Sequence, residues 1–171
     1  MLITKIDSGY VRGFADADGC ISGMTITLVN TEKELIERMS DYLNEININH
    51  KIVIKKNKGS AKTVYSIQIY GFWNIAKYTD DIGFGMTRKL KRLIEYLHYM
   101  LRDGWVYDIR QYEKYLDWKD SKKSQREGAK SLGLALSVFQ RRIYKTYPKW
   151  TGEQIKLLHK LHDWFSTYNP I

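Results

Sequence analysis

Gly9-Tyr10-Val11-Arg12-Gly13-Phe14-Ala15-Asp16-Ala17-Asp18-Gly19 is the stretch on which the reading of this chain turns. Gly9, Gly13 and Ala17 recur at every fourth position. On a helix that spacing stacks the three residues on one face. A face almost without side chains lets another backbone approach closely. Two partners suit it: this chain's own core, or the same helix of a second copy. The spacing predicts a helix over 8–17, ended at Asp18-Gly19 with Gly19 in a left-handed cap.

Asp16 and Asp18 stand at the C-terminal end of that helix, where free carbonyls already carry partial negative charge. Acids there are unfavourable unless something cationic offsets them. One reading makes Asp18-Gly19 a plain surface turn. The other packs two such helices side by side about a twofold axis, so that two Asp18 carboxylates converge. Carboxylates and free helix carbonyls are hard oxygen ligands suited to Mg²⁺ or Mn²⁺. Metal-assisted phosphodiester hydrolysis uses such a cluster.

Outward from this helix, strand and helix signals alternate. Met24–Asn30 (MTITLVN) alternates with period two and is rich in β-branched residues, which predicts a strand. Thr31 and Glu34 have capping-box spacing ahead of an apolar stripe at Leu35, Ile36, Met39, Tyr42 and Leu43. Ile48–Lys56 and Thr63–Tyr70 read as a hairpin closed at Asn57-Lys58-Gly59-Ser60. Residues 71–78 suit a short helix. Arg88–Arg102 suits an amphipathic one, with Leu90, Leu93, Ile94, Leu97 and Leu101 on one side. Beyond Asp103-Gly104 the chain reads as helices over 107–118, 124–132 and 136–144, and a last one opened by the capping pair Thr151 and Gln154. The prediction is an α+β fold over residues 1–104, followed by a basic helical region over residues 105–171.

The 171 residues include 28 Lys+Arg against 19 Asp+Glu, a formal net charge of +9. The excess is uneven: 14 basic against 11 acidic over 1–100, 14 against 8 over 101–171, and 8 against 1 within 122–149. A polyanion is the simplest partner for such a block, the alternative being a solvated basic surface. No apolar run approaches the ~20 residues of a bilayer-crossing helix. The first ten residues lack the apolar stretch of a secretory signal. The expectation is an intracellular protein, in the cytoplasm or an organelle that translates its own genes, with no membrane partner. Cys20 is the sole cysteine, so an intrachain disulfide is impossible and a cysteine-based zinc site within the chain is not expected. His50, His98, His159 and His162 have no metal-ligand spacing. Neither a phosphate-cradling glycine loop nor a Ser/His/Asp arrangement stands out, and no small-molecule substrate is expected.

Val11–Gly19 (VRGFADADG) resembles the LAGLIDADG motif of homing endonucleases. Gly13, Asp16, Ala17, Asp18 and Gly19 match it outright. Val11 and Phe14 are apolar replacements for leucines, while Arg12 and Ala15 depart from it. The order that follows is also similar to that family: strand, helix, hairpin, then Ile82-Gly83-Phe84 leading to Arg88-Lys89 on a helix. The resemblance implies a saddle of antiparallel strands with helices on one face, and a site-specific endonuclease of double-stranded DNA. It implies that Asp18 binds metal, that the Ala17 carbonyl completes the metal shell, and that Lys89 assists at the scissile phosphate ahead of Arg88 and Lys91. Asp16 then caps or orients. One copy of the motif is present, and single-motif members are homodimers. That places Gly9, Arg12, Gly13 and Asp16 at a dimer interface and makes the target a long pseudo-palindrome. The short stretch between Cys20 and Met24 departs from the family, so the first hairpin is reduced and the number of strands stays open.

A twisted antiparallel sheet in the major groove can present alternate side chains to base edges. Alternation sends Ile26, Leu28, Ile52, Ile54, Tyr65, Ile67 and Ile69 inward. It leaves Thr25, Thr27, Lys51, Val53, Lys55, Ser66, Gln68 and Tyr70 outward. The polar residues among these, with Lys58 and Lys62 flanking the hairpin turn, are candidate base and phosphate readers. An ordinary one-sided sheet has the same pattern. Gln125–Tyr144 (QREGAKSLGLALSVFQRRIY) has the pattern of a helix-turn-helix. Ala129 and Leu132 pack the first helix, Gly133 permits the turn, and Val138 and Ile143 anchor the second. Ser137, Gln140, Arg141 and Lys145 then face the groove. A basic three-helix packing module is the alternative, with Tyr107, Tyr112, Tyr115, Trp118, Trp150 and Trp164 as its small core. Three functions fit these features: a metal-dependent endonuclease, a non-cleaving DNA-binding regulator and an RNA maturase. Asp18 favours the first, because a pure binder has no need of an acid aimed at phosphate.

Overall fold

The computed structural model describes residues 5–56, 62–102, 109–145 and 150–167, without the side chains of residues 102, 142–145 and 167. Those residues form an α+β structure: α1 (Ser8–Asp18), β1 (Gly19–Ser22), β2 (Thr25–Asn30), α2 (Lys33–Glu45), β3 (His50–Lys56), β4 (Thr63–Tyr70), α3 (Phe72–Asp81), α4 (Thr87–Arg102), α5 (Ile109–Asp120), α6 (Gln125–Ser131), α7 (Leu136–Lys145) and α8 (Gly152–Thr167). The chain divides into two compact units, Met1–Leu97 and His98–Ile171, which part within α4. No described helix is long and apolar enough to cross a membrane.

In the first unit the strands form one antiparallel sheet in the order β1-β2-β4-β3. Alternation works as the sequence predicts in its middle: Ile26, Leu28, Ile67 and Ile69 are fully buried on the face that the helices cover. Val11 and Ala15 of α1, Ile36, Met39 and Leu43 of α2, Ile75 and Ala76 of α3, and Leu93 and Ile94 of α4 complete this core. Each large side chain buried this way contributes about 1.5–3 kcal/mol. α1 starts where the Asp7 carboxylate accepts the Tyr10 N–H at 2.8 Å.

The first hairpin is reduced, as expected, and three other expectations are corrected. The first hairpin is short but complete: β1 pairs with β2 from Gly19↔Leu28 to Ser22↔Thr25, and Gly23 turns the chain at φ +54°. Gly19 is extended (φ −78°, ψ 148°), not left-handed. Its glycine is needed for another reason, since a Cβ there would stand 2.4 Å from the Ala15 carbonyl oxygen. α2 begins at Lys33 without a side-chain cap. The Thr31–Glu34 box gives way to a tighter turn in which Asn30 Oδ1 accepts the Glu32 N–H at 2.9 Å. Ile52 and Ile54 share the helix-side face with their partners Ile67 and Tyr65, yet stay 41% and 57% exposed. They lie on β3, an edge strand of the sheet.

The second unit is helical and built around aromatic side chains. Tyr112 lies 4.7 Å from Trp150 and 6.1 Å from Tyr115 between ring centroids, and Trp118 meets Phe139 edge-on at 4.8 Å. Tyr112, Tyr115 and Phe139 are buried, so these rings are core and not stacking platforms. Tyr107 lies outside the described residues. α6 opens on a capping box between Ser124 and Glu127. The box expected at Thr151 and Gln154 forms as well, with reciprocal bonds of 2.9 and 3.2 Å.

Candidate functional site

α1 buries Val11 and Ala15 and leaves its opposite side to solvent. Gly9, Arg12, Gly13, Ala17 and Asp18 are exposed there, and a Cβ on Gly13 would meet nothing within 4 Å. The small-residue face is therefore not used by the core of its own unit. At its end the Asp18 carboxylate has no hydrogen-bond or ion-pair partner among the described residues.

The two other charged residues of the motif bond within the chain. The Asp16 carboxylate accepts the N–H groups of Gly85 at 2.9 Å and Met86 at 3.0 Å. Met86 is where α4 starts, since its carbonyl receives Lys89 and Leu90 N–H. Asp16 thus sits at the positive end of α4, which offsets its position at the negative end of α1. Arg12 Nε donates to the Ile82 carbonyl at 2.6 Å. Beneath these two lies Tyr78, whose buried hydroxyl has no partner among the described residues. Burial, and then the nearby Asp16 charge, hold its ionisation above the ordinary tyrosine range.

Lys89 reaches back to the end of α1. Its ammonium donates to the carbonyls of Ala15 at 2.9 Å, Asp16 at 2.7 Å and Gly19 at 2.6 Å. An ammonium has three protons to donate, so this set saturates it. Lys89 is the cation that the C-terminal end of α1 requires. The Ala17 carbonyl is not among its acceptors.

A recess of about 130 Å³ adjoins this cap, lined by Gly19, Cys20, Ile21, Arg88, Lys89 and Arg92. Arg92 Nη1 lies 3.4 Å from the Ile21 carbonyl. The family resemblance points to Arg88, Lys89 and Lys91 but not to Arg92. The signal was available: Arg88 and Arg92 are four apart on an amphipathic helix and so share a face.

On the sheet face away from the helices, the register aligns Thr25 with Tyr70, Thr27 with Gln68, Gln68 with Lys51, and Ser66 with Val53. Lys51, Lys55, Lys62 and Tyr70 are exposed, while Thr25, Thr27 and Gln68 are half-buried. Lys51 Nζ stands 5.5 Å from the centre of the Tyr70 ring. Ser66 shares this face but is buried, its hydroxyl donating to the Val53 carbonyl at 3.3 Å. Lys58 lies outside the described residues.

In the second unit α6, a turn with Gly133 at φ +65°, and α7 follow one another with helix-turn-helix spacing. Ala129, Leu132 and Phe139 are buried, and Val138 is half-buried. Phe139, not Val138, is thus the main anchor of α7. Ser137, Gln140 and Arg141 are exposed, with Gln140 Nε2 donating to Gln125 Oε1 at 2.9 Å. The side chains of Ile143 and Lys145 lie outside the described residues.

Comparison with known proteins bears on the first unit. The family description LAGLIDADG-like domain matches residues 5–83. The replication factor C small subunit of Methanocaldococcus jannaschii is 36% identical over 86 residues, which are 50% of this chain and 5% of that protein. The protein of the same name from Thermococcus kodakarensis is 29% identical over 86 residues, 50% of this chain and 10% of that protein. An uncharacterized protein of Methanocaldococcus jannaschii is 25% identical over 107 residues, 56% of this chain and 40% of that protein. The chain thus covers from 5% to 40% of the length of these relatives. No solved structure matches significantly. The motif helix at 8–18, the α+β sheet and the match over 5–83 together identify residues 5–83 as a LAGLIDADG-like domain.

Proposed function

We propose that this chain is a divalent-metal-dependent, site-specific endonuclease of double-stranded DNA that works as a homodimer. The observation that carries the reading is the unpartnered Asp18 carboxylate at the end of an exposed small-residue helix face. One chain offers there a single carboxylate and the Ala17 carbonyl. Among the described residues no group of three or more His, Cys, Asp or Glu could hold a metal ion. Mg²⁺ commonly binds through one or two carboxylates, with substrate phosphates and waters filling the rest of its shell. A second copy packed on Gly9, Gly13 and Ala17 would bring the second Asp18, and DNA would bring the phosphates. The donor set therefore fits Mg²⁺ or Mn²⁺ in the dimer on DNA.

A divalent ion held there supplies Lewis-acid polarisation of the phosphodiester. The rest is the work of the chain. Asp18 presents an acid that is without a partner among the described residues. Asp16, Arg12 and Lys89 fix the helix that carries it. Thr25, Thr27, Lys51, Lys55, Gln68 and Tyr70 face one side of the sheet, with Lys62 just before β4, and suit a groove and its phosphates. In this reading residues 1–104 cut, and residues 105–171 add a second duplex contact through Ser137, Gln140 and Arg141.

The test selects cleavable sites from a random duplex library and returns them to a supercoiled plasmid. Wild type should nick and linearise it with Mg²⁺ and not with EDTA. Asp18→Asn should bind the same duplex and cut it more than about 100-fold more slowly, exceeding the usual loss from disturbing a residue behind a metal ligand. Wild type that binds duplex and never cuts it would instead make the chain a regulator. Preference for structured RNA would make it a maturase.

A further inference from the structure

We propose that the recess between β1 and α4 is a phosphodiester subsite gripped by Arg88 and Arg92, and that Lys89 beside them is a positioning residue that touches no phosphate. This rests on the reading of the chain as a DNA-binding nuclease. Lys89 gives its donors to three carbonyls at 2.6 to 2.9 Å. Those carbonyls form the negative end of α1, so its charge is answered inside the protein. Neither Arg88 nor Arg92 has a carboxylate partner among the described residues. The contact of Arg92 with the Ile21 carbonyl is long at 3.4 Å, and a guanidinium carries five donors in all.

Geometry brings the two arginines together. They are one helical turn apart on α4 and line the same recess with Gly19, Cys20 and Ile21. Its volume of about 130 Å³ equals roughly four waters of liquid, which is room for one phosphate group. Two guanidinium forks without acids call for an oxyanion, and a fork matches phosphate geometry where an ammonium does not. The recess begins at Gly19, the residue after Asp18.

The measurement is the salt dependence of duplex binding in EDTA, which reads phosphate contacts without requiring cleavage. Each phosphate contact contributes about 0.9 to the slope of log K against log salt. With one phosphate shared between them, Arg88→Gln and Arg92→Gln should each lower the slope by part of that amount, and the double variant by about 0.9. Lys89→Met should leave the slope unchanged. It should instead shift the carbonyl resonances of Ala15, Asp16 and Gly19 and speed amide exchange at the end of α1. Circular dichroism checks that all variants are folded. An unchanged slope in the double arginine variant overturns the proposal, and so does a lowered slope in folded Lys89→Met. Wild type that binds duplex with the expected arginine effect yet never cuts would sink the nuclease reading alone. Wild type that binds no duplex would sink both.

Discussion

Asp16 and Gly85 hold each other across 69 positions of the chain: the Gly85 N–H donates to Asp16 Oδ2 at 2.9 Å, and a Cβ on Gly85 would stand 2.7 Å from that same oxygen. With Met86 beside it, Asp16 caps the start of α4 while Lys89 of α4 caps the end of α1. Each helix thus offsets the terminal charge of the other. Asp16→Ala removes two charge-assisted bonds. Such bonds are worth about 1.5–3 kcal/mol each when well buried. Asp16 is half-exposed, so the expected loss is about 1–2 kcal/mol in all. Asp16→Asn keeps an acceptor oxygen and should lose less. Urea unfolding reads both, and a cost for Asp16→Ala below about 0.5 kcal/mol would contradict the mutual capping.

The pattern of that exchange explains what a reader of the sequence can and cannot see. The motif helix, β2, β4 and α4 are local facts: spacing of four, period two, and an apolar stripe. β1 escapes because four residues after Asp18 are too few to show alternation, although Gly23 between Ser22 and Met24 marked the turn. The exposure of Ile52 and Ile54 depends on β3 being the last strand, which only the pairing order reveals. The need for a cation at the end of α1 was legible from Asp16 and Asp18. That Lys89 meets it lies some 70 positions away and depends on the fold. Asp18 drew attention through its motif, while Arg92 needed the recess around it to be noticed.

Gly13→Leu separates folding from dimerisation. Nothing lies within 4 Å of a Cβ at that position, so a lone chain has room for the new side chain. Leucine also favours an exposed helix over glycine by about 0.8 kcal/mol. The folded monomer should therefore be as stable as wild type or slightly more stable. The face that two helices would share is now blocked, so dimer and cleavage should disappear together. Sedimentation velocity across a concentration series decides it, and an unchanged dimer would refute packing through this face.

Tyr78→Phe removes a buried hydroxyl that has no partner among the described residues. An unsatisfied buried polar group costs about 1–3 kcal/mol, so the variant should be more stable at neutral pH by about 1 kcal/mol. The ring contact with Phe84 at 5.6 Å between centroids should persist. The pH dependence has a definite sign. Burial raises the Tyr78 ionisation in the folded chain above its ordinary value of 10.0. The neutral hydroxyl is then fully compatible with folding below pH 10, and stability falls as pH rises from there toward the folded value. Wild type should lose stability faster than Tyr78→Phe above that pH. Parallel curves from urea titrations at rising pH would mean that the hydroxyl ionises as freely folded as unfolded.

Gly128→Ala tests the second unit in the same spirit. A Cβ there would stand 2.6 Å from Cδ1 and Nε1 of Trp118 and 2.8 Å from Cζ of Phe139, closer than packed carbon atoms come. Trp118 has little freedom to retreat. Its Nε1 donates to the Lys123 and Ser124 carbonyls at 3.1 and 3.0 Å, and its ring meets Phe139 edge-on. Alanine gains about 0.8–1 kcal/mol of helix propensity over glycine. Overpacking a tight contact costs about 1–3 kcal/mol, so the balance should be destabilising by up to about 2 kcal/mol. The strain falls on the packing of α6 against α7, so near-ultraviolet circular dichroism of the tryptophans should change. Duplex affinity through Ser137, Gln140 and Arg141 should weaken as well. If Gly128→Ala melts with wild type and binds duplex equally well, the glycine is not what seats α6 on Trp118, and the helix-turn-helix geometry tolerates a side chain where this structure leaves no room.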